Sequence, residues 1–76
     1  MSLTCRNTAD LGSALRKRRK ELGYTQADVR SRLGFSERLV GDIERGKGGV
    51  ACSKYLQLAR SLGFDVVLQR RDGHAD

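Results

Sequence analysis

Seventy-six residues, 38% apolar and only 5% aromatic, leave room for one domain with a small aliphatic core, near the size at which a single core is only marginally stabilising. Fifteen Lys and Arg against nine Asp and Glu give a net charge of +6, which favours a polyanionic partner, either nucleic acid or an anionic surface. No apolar run approaches the ~20 residues of a bilayer-spanning helix, no leader-like segment follows Met1, and two cysteines without metal-ligand spacing read as free thiols in a reducing cytoplasm.

Residues 1–7 carry no period and read as an N-terminal arm, with Leu3 and Cys5 alternating too briefly for a strand. A first helix is expected from Thr8, whose hydroxyl can cap it. Leu11, Ala14, Leu15, Arg18 or Arg19, and Leu22 recur at helical spacing, and Gly23 stops the helix. Arg16-Lys17-Arg18-Arg19-Lys20 spreads five cations around most of the circumference, so they cannot all meet one ligand. Arg19 lies nearest the Leu15–Leu22 face, where a partly buried guanidinium needs a carboxylate.

The stretch Thr25 to Gly46 reads as two short helices joined at a glycine. Val29 and Leu33 share one face of the first, and Leu39, Val40 and Ile43 repeat the spacing on the second. Gly34 can take the positive φ after the first helix, and Ser36 can cap the second. A capped helix leaving a tight glycine turn is the geometry of a helix-turn-helix, whose second helix enters the DNA major groove. Its outward positions, Ser36, Glu37, Arg38, Gly41 and Asp42, are the candidate base contacts. Arg38 leads, because a guanidinium can bond guanine O6 and N7 together. Glu37 and Asp42 can accept from a cytosine amine or orient Arg38, and Gly41 would let the helix sit close to the bases. Thr25 and Gln26, at the start of the first helix, are candidate phosphate contacts, as are Arg45, Lys47 and Lys54.

Lys47-Gly48-Gly49 is a basic loop without the strand or the Gly-Lys-Ser/Thr ending of a nucleotide-binding loop. Val50 and Ala51 can pack back on the core. Ser53 is expected to cap a last helix through Leu62, with Tyr55, Leu56, Ala59 and Leu62 inward and Gly63 as its stop. Phe64-Asp65-Val66-Val67-Leu68-Gln69 is β-rich and partly alternating. A lone strand leaves its backbone groups unpaired, so pairing with the same strand of a second subunit is expected, with Phe64, Val66, Val67 and Leu68 at the interface. Residues 70–76 form a polar tail in which His74 is a solvated lone histidine. No Ser, His and Asp constellation or metal spacing points to an enzyme or a cofactor.

Thr25-Gln26, Leu33-Gly34-Phe35-Ser36 and Val40-x-x-Ile43-Glu44-Arg45-Gly46, extended back through Leu11-Gly12, Leu15-Arg16 and Arg19, resemble the lambda-repressor/Cro (Xre-type) superfamily over residues 9–63. The resemblance implies a mainly α, five-helix domain over residues 8–63, here with a short C-terminal β-strand over residues 64–69 pairing across a dimer. It also implies a structural ion pair between Arg19 and Glu44. Arg30 departs from the pattern, standing where the family usually has a small residue, so its stem must point outward or open the helix crossing. Domain and strand together are most similar to the HipB-like antitoxins, DNA-binding homodimers that repress their own operon and bind a HipA-like kinase toxin. The expected function is thus a transcriptional repressor acting on palindromic operator DNA, most like such an antitoxin. A free-standing Xre-type regulator, such as a prophage repressor or a restriction-modification controller protein, is the alternative, and a protein-binding adaptor is the reading from another class.

Overall fold

The computed structural model of the chain describes residues 3–72. Four helices follow one another: α1 (Thr8–Glu21), α2 (Gln26–Leu33), α3 (Glu37–Glu44) and α4 (Cys52–Ser61). Local chemistry sets most of their ends. The amide of Asp10 donates to the side chain of Asn7 at 2.8 Å, so α1 is capped one residue earlier than expected. Thr8 is thereby released, and its hydroxyl donates to the Gly46 carbonyl at 2.7 Å. At the start of α2 the Asp28 amide donates to the Thr25 hydroxyl and the Thr25 amide to the Asp28 carboxylate, a reciprocal capping box. Hydrogen bonds from the Thr25 amide, then from its hydroxyl, hold the Asp28 carboxyl below the usual carboxylate range, with the nearby Arg32 charge adding to them. Gly34 closes α2 at a φ of 69°, and the Ser36 hydroxyl caps α3 by accepting from the Leu39 amide at 3.1 Å. Ser53 does not cap α4: the N-cap position falls to Ala51, which has no side-chain acceptor to offer.

The core is Leu15, Val29, Phe35, Val40, Ile43, Tyr55, Leu58, Ala59 and Leu62, all aliphatic apart from Phe35 and Tyr55. Burying an aliphatic side chain of this size contributes roughly 1.5–3 kcal/mol, and six of these side chains are wholly enclosed. On α4 the inward stripe is Tyr55, Leu58, Ala59 and Leu62, spaced three, one and three residues apart. Leu56 is 40% exposed, not inward as expected, because it lies about 100° round the helix from Tyr55. Leu22 sits past the end of α1 and is also exposed. α1 crosses the end of α3 with backbone against backbone: a methyl group at Gly12 would overlap the Ile43 carbonyl oxygen, and one at Gly46 would overlap Ala9.

Two expectations about the architecture also fail. Among the described residues there are four helices, not five, and no strand. After Leu62 the chain turns at Gly63, the Phe64 amide donates to the Ala59 carbonyl at 2.9 Å, and the Phe64 ring packs on the core. Beyond it Val66, Val67 and Leu68 are 54%, 77% and 97% exposed. The physical reason is the one that made the strand need a partner. Four helices have no free sheet edge, so no strand partner meets the backbone of residues 65–69, and their alternating pattern is satisfied at Phe64 alone. His74 lies outside the described residues. Among the described residues no helix is long and apolar enough to cross a membrane, and Cys5 and Cys52 are free and exposed.

Candidate nucleic-acid interface

The α2–α3 unit is fixed by one buried charge pair. The Arg19 Nε donates to Glu44 Oε2 at 2.6 Å and Nη2 to Oε1 at 3.1 Å, a two-pronged contact, while Nη1 donates to the Tyr24 carbonyl at 2.7 Å. Gln26 Nε2 adds a fourth bond, donating to Glu44 Oε1 at 3.1 Å. The end of α1, the start of α2 and the end of α3 therefore meet at one carboxylate. Burial pushes the Glu44 carboxyl up, but the Arg19 and Gln26 hydrogen bonds and the charges of Arg19 and Arg16 outweigh it, and the group stays below the usual glutamate range. Of the five-cation run, Arg19 is buried, Arg18 turns to the Leu62 carbonyl at 3.0 Å, and Arg16, Lys17 and Lys20 face solvent.

With its inner face held by Val40 and Ile43, α3 presents Ser36, Glu37 and Arg38 outward, and the Arg38 side chain is 80% exposed. Glu37 is also exposed and stands 3.9 Å from Arg30 Nη1. Arg30 is half-buried: its Nε is enclosed without a hydrogen-bond partner, while its Nη1 reaches toward the exposed Glu37. The two remaining outward candidates lie differently. Gly41 is covered, because the Arg45 guanidinium folds back over it within 3.0 Å of where a Cβ would stand. Asp42 is largely buried, with Arg45, Arg38 and Lys47 gathered around its carboxylate.

Arg45 and Lys47 keep 68% and 51% of their side-chain surface in solvent. Lys54 lies over the Phe35 ring, 5.3 Å from its centre, and so borders the turn between α2 and α3. Thr25 is exposed, its hydroxyl serving the cap, and Gln26 is half-buried. One amide hydrogen of Gln26 goes to Glu44, and an amide nitrogen carries two. The structure thus brings Ser36, Glu37, Arg38, Arg45 and Lys47 to α3 and its exit, with Gln26 and Lys54 at its flanks. Val66, Val67 and Leu68 stand apart on the segment after α4. Two supporting residues escape sequence reasoning. Asn7 caps α1, and Tyr55 donates its hydroxyl to the Lys47 carbonyl at 3.1 Å, bracing the loop. The gathering around Asp42 was signalled, since Arg38 and Arg45 lie four and three residues from it on one helix side.

Comparison with known proteins agrees with this geometry. Residues 10–71 match the family described as helix-turn-helix domain. Over 57 residues, covering 75% of this chain and 74% of the relative, the chain is 36% identical to y4dJ of Sinorhizobium fredii (strain NBRC 101917 / NGR234), an uncharacterized HTH-type transcriptional regulator. The glycine turn, the capped outward helix and this match over most of the chain agree, and the chain belongs to the helix-turn-helix domain family.

Proposed function

We propose that this chain is a sequence-specific DNA-binding regulator of transcription, acting as a cytoplasmic repressor. The observation that supports it best is the outward helix α3, firmly seated yet presenting Arg38 almost wholly to solvent, with Arg45 and Lys47 at its exit. In the proposed complex α3 lies in the major groove and the Arg38 fork bonds guanine O6 and N7. Ser36 and Glu37 contact neighbouring base edges. Arg45, Lys47 and Lys54, with the second amide hydrogen of Gln26 and the start of α2 at Thr25, neutralise phosphates and release counterions. One α3 spans only a few base pairs, so two copies on a two-fold operator, with half-sites about one helical turn apart, are needed for useful specificity. Occupancy of a promoter then excludes polymerase.

The narrower reading, an antitoxin that binds a kinase toxin and represses their shared operon, leaned on the terminal strand. With residues 64–69 forming none, the free-standing regulator is the reading put forward. Selection of bound duplexes from a pool randomised over about 20 base pairs tests it. A two-fold consensus that Arg38→Ala fails to enrich is the expected result, and a pool left unenriched at low salt would overturn the proposal.

A further inference from the structure

Three cations that stand at the reading face share one carboxylate. Asp42 has only 12% of its side chain in solvent. Its Oδ1 accepts from Arg45 Nη2 at 2.6 Å, and its Oδ2 lies 3.8 Å from both Arg38 Nε and Lys47 Nζ. The arrangement is tied down from behind. The Lys47 amide donates to the Asp42 carbonyl at 2.9 Å, and the buried Tyr55 hydroxyl donates to the Lys47 carbonyl at 3.1 Å. Burial, then the Asp42 charge, pushes the Tyr55 phenol above its usual range, so it stays a donor.

An acidic residue among cations at a DNA-facing surface weakens attraction to DNA in general, so what its carboxylate does to those cations decides its effect. Asp42 Oδ2 attracts Arg38 from its Nε side at an ion-pair distance of 3.8 Å, longer than a hydrogen bond, and so leaves both terminal nitrogens free of it. Those two parallel N–H groups are what a guanine edge accepts. An unrestrained arginine samples many rotamers and reaches any nearby phosphate. One held on its Nε side presents its fork in one direction. Arg45, hydrogen-bonded to the same carboxylate, and Lys47, within ion-pair reach of it, are likewise drawn away from whichever phosphate is nearest.

We propose that Asp42 is a positioning residue for base readout: it aims Arg38 and anchors Arg45 and Lys47, raising discrimination between sequences while lowering affinity for DNA in general. The inference rests on the DNA-binding reading above. It predicts an outcome opposite to that of removing a direct contact, because loss of the charge should strengthen binding to the wrong DNA.

The test compares Asp42→Asn with the wild type on two duplexes, the sequence the wild type enriches from a randomised pool and a scrambled duplex of equal length. Asp42→Asn should bind the scrambled duplex several-fold more tightly. The slope of log K against log salt should steepen by up to about one, the contribution of one released cation. The ratio of specific to scrambled affinity should fall by about tenfold, within the range one bidentate pair supplies. In an Arg38→Ala background the same substitution should no longer change discrimination at the guanine position, a coupling that a merely structural role would not produce. If Asp42→Asn does not fold, Asp42→Glu serves instead: it keeps the charge, displaced by one methylene, and should lower the ratio without tightening scrambled binding. An unchanged ratio, or an equal loss with and without Arg38, overturns the role of Asp42 while leaving the DNA-binding reading in place. Failure of the wild type to enrich any sequence overturns both.

Discussion

Arg19 and Glu44 are each more than nine-tenths buried and meet through two hydrogen bonds of 2.6 and 3.1 Å, 25 residues apart in the chain. In a core this small, such a pair is a strong constraint and a standing cost. Breaking one partner leaves the other charge enclosed, an effect worth about 3–5 kcal/mol. Arg19→Ala should therefore remove much of the stability of a domain this size. Urea titration followed by circular dichroism checks it. The double substitution Arg19→Met with Glu44→Leu should recover most of the loss, since no stranded charge remains. A double variant as unstable as the single would locate the effect in packing.

Acid should weaken the fold through the same carboxylate. Glu44 titrates below its ordinary range in the folded chain, so the folded state binds its proton less readily than the unfolded chain does. The stabilisation is complete above the unfolded value, near pH 4–5, and is lost as pH falls through the depressed folded value. Asp28 adds to the trend with the same sign. Urea midpoints should be level from pH 7 to about pH 5 and fall below it. Glu44→Gln should start lower at neutral pH and lose less on acidification.

Glycine substitutions should separate space from conformation. Gly12→Ala drives a methyl group into the carbonyls of Ile43 and Glu44 and should destabilise by about 1–3 kcal/mol or more. Gly48→Ala meets nothing within 4 Å and should stay within about 0.5 kcal/mol of the parent. Melting temperatures of the two variants decide it, and equal shifts would argue against the α1–α3 backbone contact.

Arg38→Ala should leave the melting temperature unchanged, because its side chain is 80% exposed. On the enriched duplex it should cost about 1–3 kcal/mol and flatten the preference at one base pair. Anisotropy titrations on single-base variants of that duplex measure it. Retained preference at every position would reject Arg38 as the base reader.

Some of the local chemistry was legible in the sequence. Gly34 ends α2 and Ser36 caps α3 as their residue types implied, and the Arg19 side of α1 announced a need for a carboxylate, whereas the equally local reciprocal cap of Thr25 with Asp28 did not stand out. Errors came where two local solutions compete or where the partner is distant. Asn7 and Thr8 can each cap α1, and only the Gly46 carbonyl, 38 residues on, decides what Thr8 does. Leu56 and Leu58 are equally apolar, and the phase of α4 against the core chooses Leu58. The β-rich run after Gly63 has strand propensity without an edge to pair with, and propensity alone does not satisfy a backbone. At the interface, helical spacing marked Asp42 as outward, whereas the three cations that fold over it take it out of solvent.

The backbone contact at Gly12 and Gly46 has a further consequence for how this protein's preferences can change. A side chain at Gly12 would displace the carbonyls of Ile43 and Glu44, so the seating of α3 on α1 rests on main chain and not on the side chains α3 exposes. The residues at 37 and 38 are therefore removable type set in a rigid frame. New letters at those positions should spell a different site while the domain beneath them keeps its shape.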